Sequence, residues 1–453
     1  ALLTEYMKKK SLLFVLLYSV SAMVLAQTAN SVLAKGDWYK FSVDTTGVFK
    51  IDRSLLQKMG VAVANIDPRN IQIYGNGGVL LPQKNSDFRQ EDLAENALVV
   101  VGEDDGVFDA DDAILFYAKG AHDWVLNPSL GTAVHRQNMY ADTAYYFLTI
   151  GDAPGKRIAT ATEIPNNATK TITSFDDFVF YEKEVRNLFA IGTQWFGEDF
   201  SVNDTQVFNL KFDNIDTSVP LSLKVRGSAI SALNSSMNVT ANGQNAFSIA
   251  YPRVTGGSLT LGHANQNSTT INASSPNIAI GIAYANGGNP AAKAYLDYIE
   301  IQGKKLLIAD GKQFSFRSFE AYTSPEVVAY QVQNTSNINA VWDVTDAQNP
   351  VKIVTNTSGN SLTFKADGGE LKEYIVLGNN DFYTPEVPTM ALISNQNVHA
   401  VKDINYLVIT NEELSGQAQR LADHHQSNSG LTTKVVLLSE IYNEFGSGSS
   451  DIT

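Results

Sequence analysis

The side chains able to do chemistry fall in few places. Residues 91–112 hold nine acids and no base, with GEDDGVFDADD at their centre. Asp105, Asp109, Asp111 and Asp112 can approach one another around Gly106, and hard oxygen ligands on a tight turn suit Ca2+. The spacing departs from the helix-flanked calcium loop, because the closing bidentate Glu is missing and strand-like runs flank the acids. The main reading is a water-facing acidic turn between strands at Leu98–Val101 and Ala113–Tyr117, with a calcium site as the alternative. No other cofactor is implied. The six histidines, at 122, 135, 263, 399, 424 and 425, include none at metal spacing from a second ligand. His424 and His425 are neighbours on a helical pattern, so they point about 100° apart and read as a solvated helix end. Trp38, Trp124, Trp195 and Trp342 lie in β patterns and read as core. There is no HExxH, no GxSxG and no GxxxxGK[ST]. The Gly75–Gly78 cluster reads as a turn, since Val79-Leu80-Leu81-Pro82 cannot open a phosphate-cradling helix. Cysteine is absent. That excludes disulfides, Cys-ligated metals, a cysteine nucleophile and a lipid-modified cysteine within these residues. No catalytic or cofactor-binding residue can be assigned from spacing.

The elements that position such groups are clearest in residues 400–453. An apolar run at Tyr406–Ile409 is followed by Thr410 and Asn411 as helix caps. A helical pattern then places Leu414, Ala418, Leu421 and Ala422 on one side, and Gly430 stops it. A second apolar run covers Val435–Leu438, and a short helix follows over Ser439–Phe445. Strand, helix, strand at this spacing is a βαβ unit with two parallel strands. Their carboxyl ends, near Thr410 and Leu438, share one edge, where such sheets place their sites. Parallel sheets need several strands, so the unit reads as the incomplete start of an α/β domain.

The other end reads as an export signal over residues 7–26. Lys8–Lys10 form the basic region, Leu12–Val20 the apolar core and Val24-Leu25-Ala26 the small-residue cleavage site before Gln27. Removing residues 1–26 shifts the net charge from −14 to −16 and leaves 427 of 453 residues. This balance disfavours nucleic acid and anionic lipid as partners.

Between the ends the pattern is mainly β. Residues 35–185 read as an N-terminal β-rich domain, with a hairpin over residues 39–51, a short helix capped by Asp52 or Ser54, and strands at Ile71–Ile73 and Tyr145–Ile150. Residues 186–324 read as a β-sandwich, from the alternation of Phe208, Leu210 and Phe212, of Leu221, Leu223 and Val225, and of Ile278, Ile280 and Ile282. Residues 325–385 read as a small β module of their own or a continuation of the sandwich, with a hairpin turn at Gly368-Gly369 and a Pro-containing linker over residues 378–388.

Several stretches also resemble a known family. GVFKIDRSLL, IQIYGNGG and VVVGEDDGVFDADDAILFY come first. YYFLT, TQWFGE, YLDYIEI, VWDVTD, LKEYIVL and NQNVHA follow, and then YLVIT with VVLLSEIYNEFGSGSSDIT. In this order, from Gly47 to Thr453, they are similar to the N-terminal half of PorU-type sortases of the type IX secretion system, gingipain-type cysteine peptidases of Bacteroidetes-like bacteria. Gly446 departs from the Ser usual there; it falls in a loop and bears no functional conclusion. The resemblance implies that residues 400–453 open a caspase-like α/β peptidase domain whose catalytic His and Cys lie beyond Thr453. It implies a full-length cysteine endopeptidase and transpeptidase that removes C-terminal sorting domains from secreted cargo and joins the cargo to a lipopolysaccharide anchor. These 453 residues would be inactive alone and supply scaffold and docking domains for outer-membrane secretion-system proteins. The protein would pass through the periplasm to the outer-membrane surface. Two alternatives stand beside this reading. One is a gingipain-like secreted peptidase that is itself cargo. The other is a non-catalytic surface adhesin or carbohydrate-binding β protein.

Overall fold

The computed structural model describes residues 29–188, 192–256 and 261–453. The expected export signal at residues 7–26 lies outside them. The chain is mainly β, with a short α/β unit at its C-terminal end.

The first sandwich packs a five-stranded sheet on a three-stranded one. The turn at residues 44–46 does not close a hairpin. Trp38–Val43 pairs with Ala144–Ile150 in one sheet, while Gly47–Asp52 pairs with Ala113–Ala118 in the other. The inward side chains explain this. Phe41 and Val43 face Phe49 and Ile51 across one core, which a hairpin within a single sheet could not achieve. The Arg53–Met59 helix closes this sandwich. The Asp52 carboxylate caps it by accepting from the Leu55 N–H at 2.9 Å, and Gly60 ends it at φ +95°.

A nine-stranded sheet forms the centre of the molecule and serves two sandwiches. One half, with Leu221–Ile230 and Lys293–Leu306, packs on the four strands Thr205–Lys211, Ser235–Ala241, Gln244–Tyr251 and Asn277–Ala285. This is the sandwich expected from the alternation. The other half, with Phe314–Arg317, Ile338–Asp343 and Glu373–Gly378, packs on a sheet built from Val328–Gln333 and Ser361–Ala366. The strands of residues 325–378 therefore share the central sheet with the preceding region. The Gly368-Gly369 turn carries the chain between sheets and does not join a hairpin. Ser174–Glu182 pairs with Lys293–Leu306, so it too belongs to the central sheet. A hairpin, Asp123–Asn127 with Thr132–Arg136, reaches across from the first sandwich and lies on that sheet.

The Pro-containing segment after Gly378 runs back over the first sandwich. Tyr383 bridges Phe49, Glu386 bridges Ser42, and Leu392–Ile393 adds an edge strand beside Trp38–Val43. Gly47 admits it, because a Cβ there would meet the Tyr383 ring at 2.6 Å.

Candidate functional site

The C-terminal unit follows that edge strand. Tyr406–Thr410 and Thr433–Leu437 pair in parallel, in register from Tyr406 opposite Thr433 to Thr410 opposite Leu437. The Ser415–Ser429 helix crosses between them, burying Ala418 and Ala422 and ending at Gly430 with φ +64°. The two carboxyl ends thus share an edge, as the sequence implies. Asn411 accepts from the Leu414 N–H at 3.0 Å. Ser439 donates to Glu412 at 2.5 Å, tying the two connections together and holding the Glu412 carboxyl below its usual range. Leu407 and Ile409 are 50% and 51% exposed, so one face of the pair is open. Leu414 and Leu421 are also exposed; only the alanines of the expected apolar stripe are buried.

What holds this unit to the first sandwich is polar. Glu444, on the Leu438–Phe445 helix, is buried. Its carboxylate accepts from Gln396 Nε2 at 3.0 Å, the Val398 N–H at 2.7 Å and the His399 N–H at 3.0 Å, and meets His399 Nδ1 at 2.5 Å. Burial works against a charge on His399, yet its bonds to Glu444 and to the Glu91 carbonyl raise its pKa. Beyond the helix, Asn76 N–H donates to Ser447 Oγ at 2.9 Å and Leu81 N–H to Asp451 at 3.1 Å. Lys40 donates to Asn443 Oδ1 at 2.9 Å and to the Gly448 carbonyl at 3.0 Å, with its ammonium 4.2 Å from the Tyr145 ring centre. Burial lowers Lys40 to about 8. The run around Ile441-Tyr442-Asn443-Glu444-Phe445 is thus a docking surface as well as a helix.

The acidic turn is a hairpin connection between Leu98–Val101 and Ala113–Ala118. Its carboxylates are used locally. Asp105 accepts from the Val107 N–H at 2.9 Å, and Asp112 from the Asp109 N–H at 2.8 Å. Asp112 is buried against Gly102, where a Cβ would lie 1.7 Å from its Oδ1. Asp109 and Asp111 are exposed. Among the described residues no three His, Asp or Glu side chains converge as metal ligands.

The remaining histidines divide. His424 is exposed, and half-buried His425 lies on Tyr406 with ring centres 4.4 Å apart. His135 was invisible as a special residue in the sequence. It is buried, with Nδ1 2.6 Å from Glu300 and Nε2 2.6 Å from Glu182. Burial disfavours its charge, but the two carboxylates override this and raise it to about 9. Its ring stacks on Phe180 at 4.4 Å. Trp38 and Trp342 are core, as expected, and Trp124 packs on Phe178 at 5.0 Å. Trp195 is half-buried.

Two comparisons relate the chain to known proteins. Residues 399–453 match peptidase family C25. The chain is similar in fold to the crystal structure of dimeric latent PorU from Porphyromonas gingivalis, with a TM-score of 0.80 and 24% sequence identity over 94% of this chain and 39% of that one. The chain thus spans about two-fifths of that protein's resolved length. Together they bear out the resemblance read from the sequence, with a mainly β chain leading into the start of a C25-type peptidase domain. A CBM36 domain of a xylanase from the hindgut metagenome of Trinervitermes trinervoides has a TM-score of 0.20, with 15% identity over 28% of this chain and 95% of that one; it carries no argument. No curated protein sequence matches.

Proposed function

We propose that this chain is the scaffold and docking portion of a type IX secretion sortase, with residues 399–453 forming the first unit of its cysteine peptidase domain. The observation carrying this reading is the parallel βαβ unit, matched to peptidase family C25 and bonded onto a β scaffold of PorU-like fold. These residues contain no cysteine. The nucleophile therefore comes from outside them, and a His supplied with it acts as partner base. The thiolate attacks the carbonyl before a C-terminal sorting domain and expels that domain. An amine of a lipopolysaccharide anchor then takes the place of water in resolving the acyl-enzyme. The scaffold docks on outer-membrane secretion proteins, and the protein is exported to the outer surface.

Incubation with cargo bearing a C-terminal sorting domain tests this reading. The 453-residue chain is expected to cleave nothing. A parent protein that includes it is expected to cleave the cargo and to lose activity on thiol alkylation. Cleavage by the chain itself, or alkylation-resistant cleavage by the parent, would sink the proposal.

A further inference from the structure

Between the first sandwich and the central sheet lies an open cleft of about 550 Å3, remote in sequence from the peptidase unit and lined by none of its residues. Three cations meet two carboxylates in its wall. Arg317 is 8% exposed; its Nη2 donates to Glu373 at 2.7 Å, its Nη1 lies 3.8 Å from Asp177, and its buried Nε has no hydrogen-bond partner. Asp177 is shared, because Lys305 Nζ reaches it at 3.1 Å. Lys119, half-buried in the lining, makes no hydrogen bond or ion pair through Nζ among the described residues. Its charge is nevertheless felt at Glu373: burial pushes that carboxyl up, and Arg317 and Lys119 together hold it below its ordinary value. The Tyr117 hydroxyl is buried close to these groups, beside Ser315.

These five side chains, Arg317, Lys305, Lys119, Asp177 and Glu373, therefore carry one positive charge in excess, and the buried Arg317 Nε is left unused. Buried donors without partners are rare in folded proteins and call for an explanation. At the rim, Asp123 and Asp213 are neutralised by Arg136 and Lys211. Asp44, Asp310 and Lys312 are exposed to water, where salt screens them. Trp124, Phe180 and Phe314 give the same cleft an apolar side.

We propose that this cleft binds an organic carboxylate carried on an aromatic or apolar body, with the carboxylate between Lys119 and Arg317 and the body against Phe180 and Phe314. A cation would face the excess positive charge. A dianion would leave one negative charge uncompensated beside Asp177 and Glu373. A neutral acceptor would leave the Lys119 charge unmatched. The carboxylate has two sources, a free aryl acid or the C-terminus of a peptide. This inference does not depend on the peptidase reading.

Calorimetric titration of the intact chain tests it. The probes are hydrocinnamate and its alcohol, phenylpropanol, and acetyl-Gly-Phe as free acid and as amide. Both acids are expected to bind saturably, each at least tenfold more tightly than its neutral counterpart, and the tighter acid identifies the source. Lys119→Met removes an unpaired, half-exposed charge without disturbing the core. It is expected to weaken acid binding about tenfold, equivalent to one charge-assisted contact, and to leave alcohol binding unchanged. Equal binding of acid and alcohol, no binding of either acid, or acid binding indifferent to Lys119→Met would overturn the proposal.

Discussion

Two buried histidine–glutamate junctions brace this molecule, and they do so differently. At the hairpin, His135 sits between Glu182 and Glu300, and Lys224 adds a further contact to Glu300 at 3.0 Å. The ring is enclosed by Trp124, Phe180 and Tyr298. This junction holds by charge inside an apolar patch. At the C-terminal unit, Glu444 has one histidine and otherwise neutral donors. Lys40, the cation nearby, bonds only neutral oxygens. That junction holds by hydrogen bonds to backbone and amide groups. The same residue pair can thus fasten two segments electrostatically or by satisfying a carboxylate's lone pairs.

The largest expected effect breaks the second junction. Glu444→Ala leaves four donors without their acceptor in a buried site, at a cost of about 3–5 kcal/mol. Limited proteolysis should then cut within residues 438–453 while the sandwich cores keep their unfolding midpoint. An uncut C-terminal segment would show that apolar contacts do the docking.

Next comes the charge at the first junction. His135 is raised to about 9 from an unfolded value of about 6.5. The stability it contributes is full below about pH 6.5 and is lost as pH rises through about 9, a change on the order of 3 kcal/mol. Denaturant midpoints measured from pH 6 to 10 should fall more steeply for the native chain than for His135→Gln. Parallel curves would mean that His135 is held neutral.

Lys40 gives a pH-dependent effect of comparable size, and its sign is opposite. Lys40 is held down to about 8 against an ordinary value of about 10.4. The unfolded chain therefore binds more protons between these values, and the Lys40 contribution to stability rises with pH across that window. Lys40→Met should remove this rise and change stability at pH 7 by only about 1 kcal/mol. Proteolysis of the C-terminal unit across pH 8–10 reads it directly.

The strands themselves were legible because inward and outward residues alternate, as in Leu221, Leu223 and Val225. Their partners were not. A turn such as Asp44–Gly47 looks the same whether it closes a hairpin or crosses between sheets, and only the shared core of Phe41 with Phe49 decides. The βαβ unit was legible through its apolar runs and caps. The junctions were hidden, because His135 and Glu300 are separated by 165 positions and His399 and Glu444 by 45. His135 alternates with inward Ala133 in TAVHR, a signal of burial that the sequence reading did not use. The prolines near residue 385 suggested a free linker, yet that segment is bonded along the first sandwich.

That returning segment has a kinetic consequence. The Leu392–Ile393 strand completes a sheet begun at Trp38, so the earliest part of the fold waits for one of the latest. During synthesis the first sandwich keeps an unpaired edge at Trp38–Val43 until both sandwiches of the central sheet have been made. Such a closure has high contact order and is slow. It also means that the C-terminal unit emerges onto a scaffold whose last strand has only just been laid down beside it.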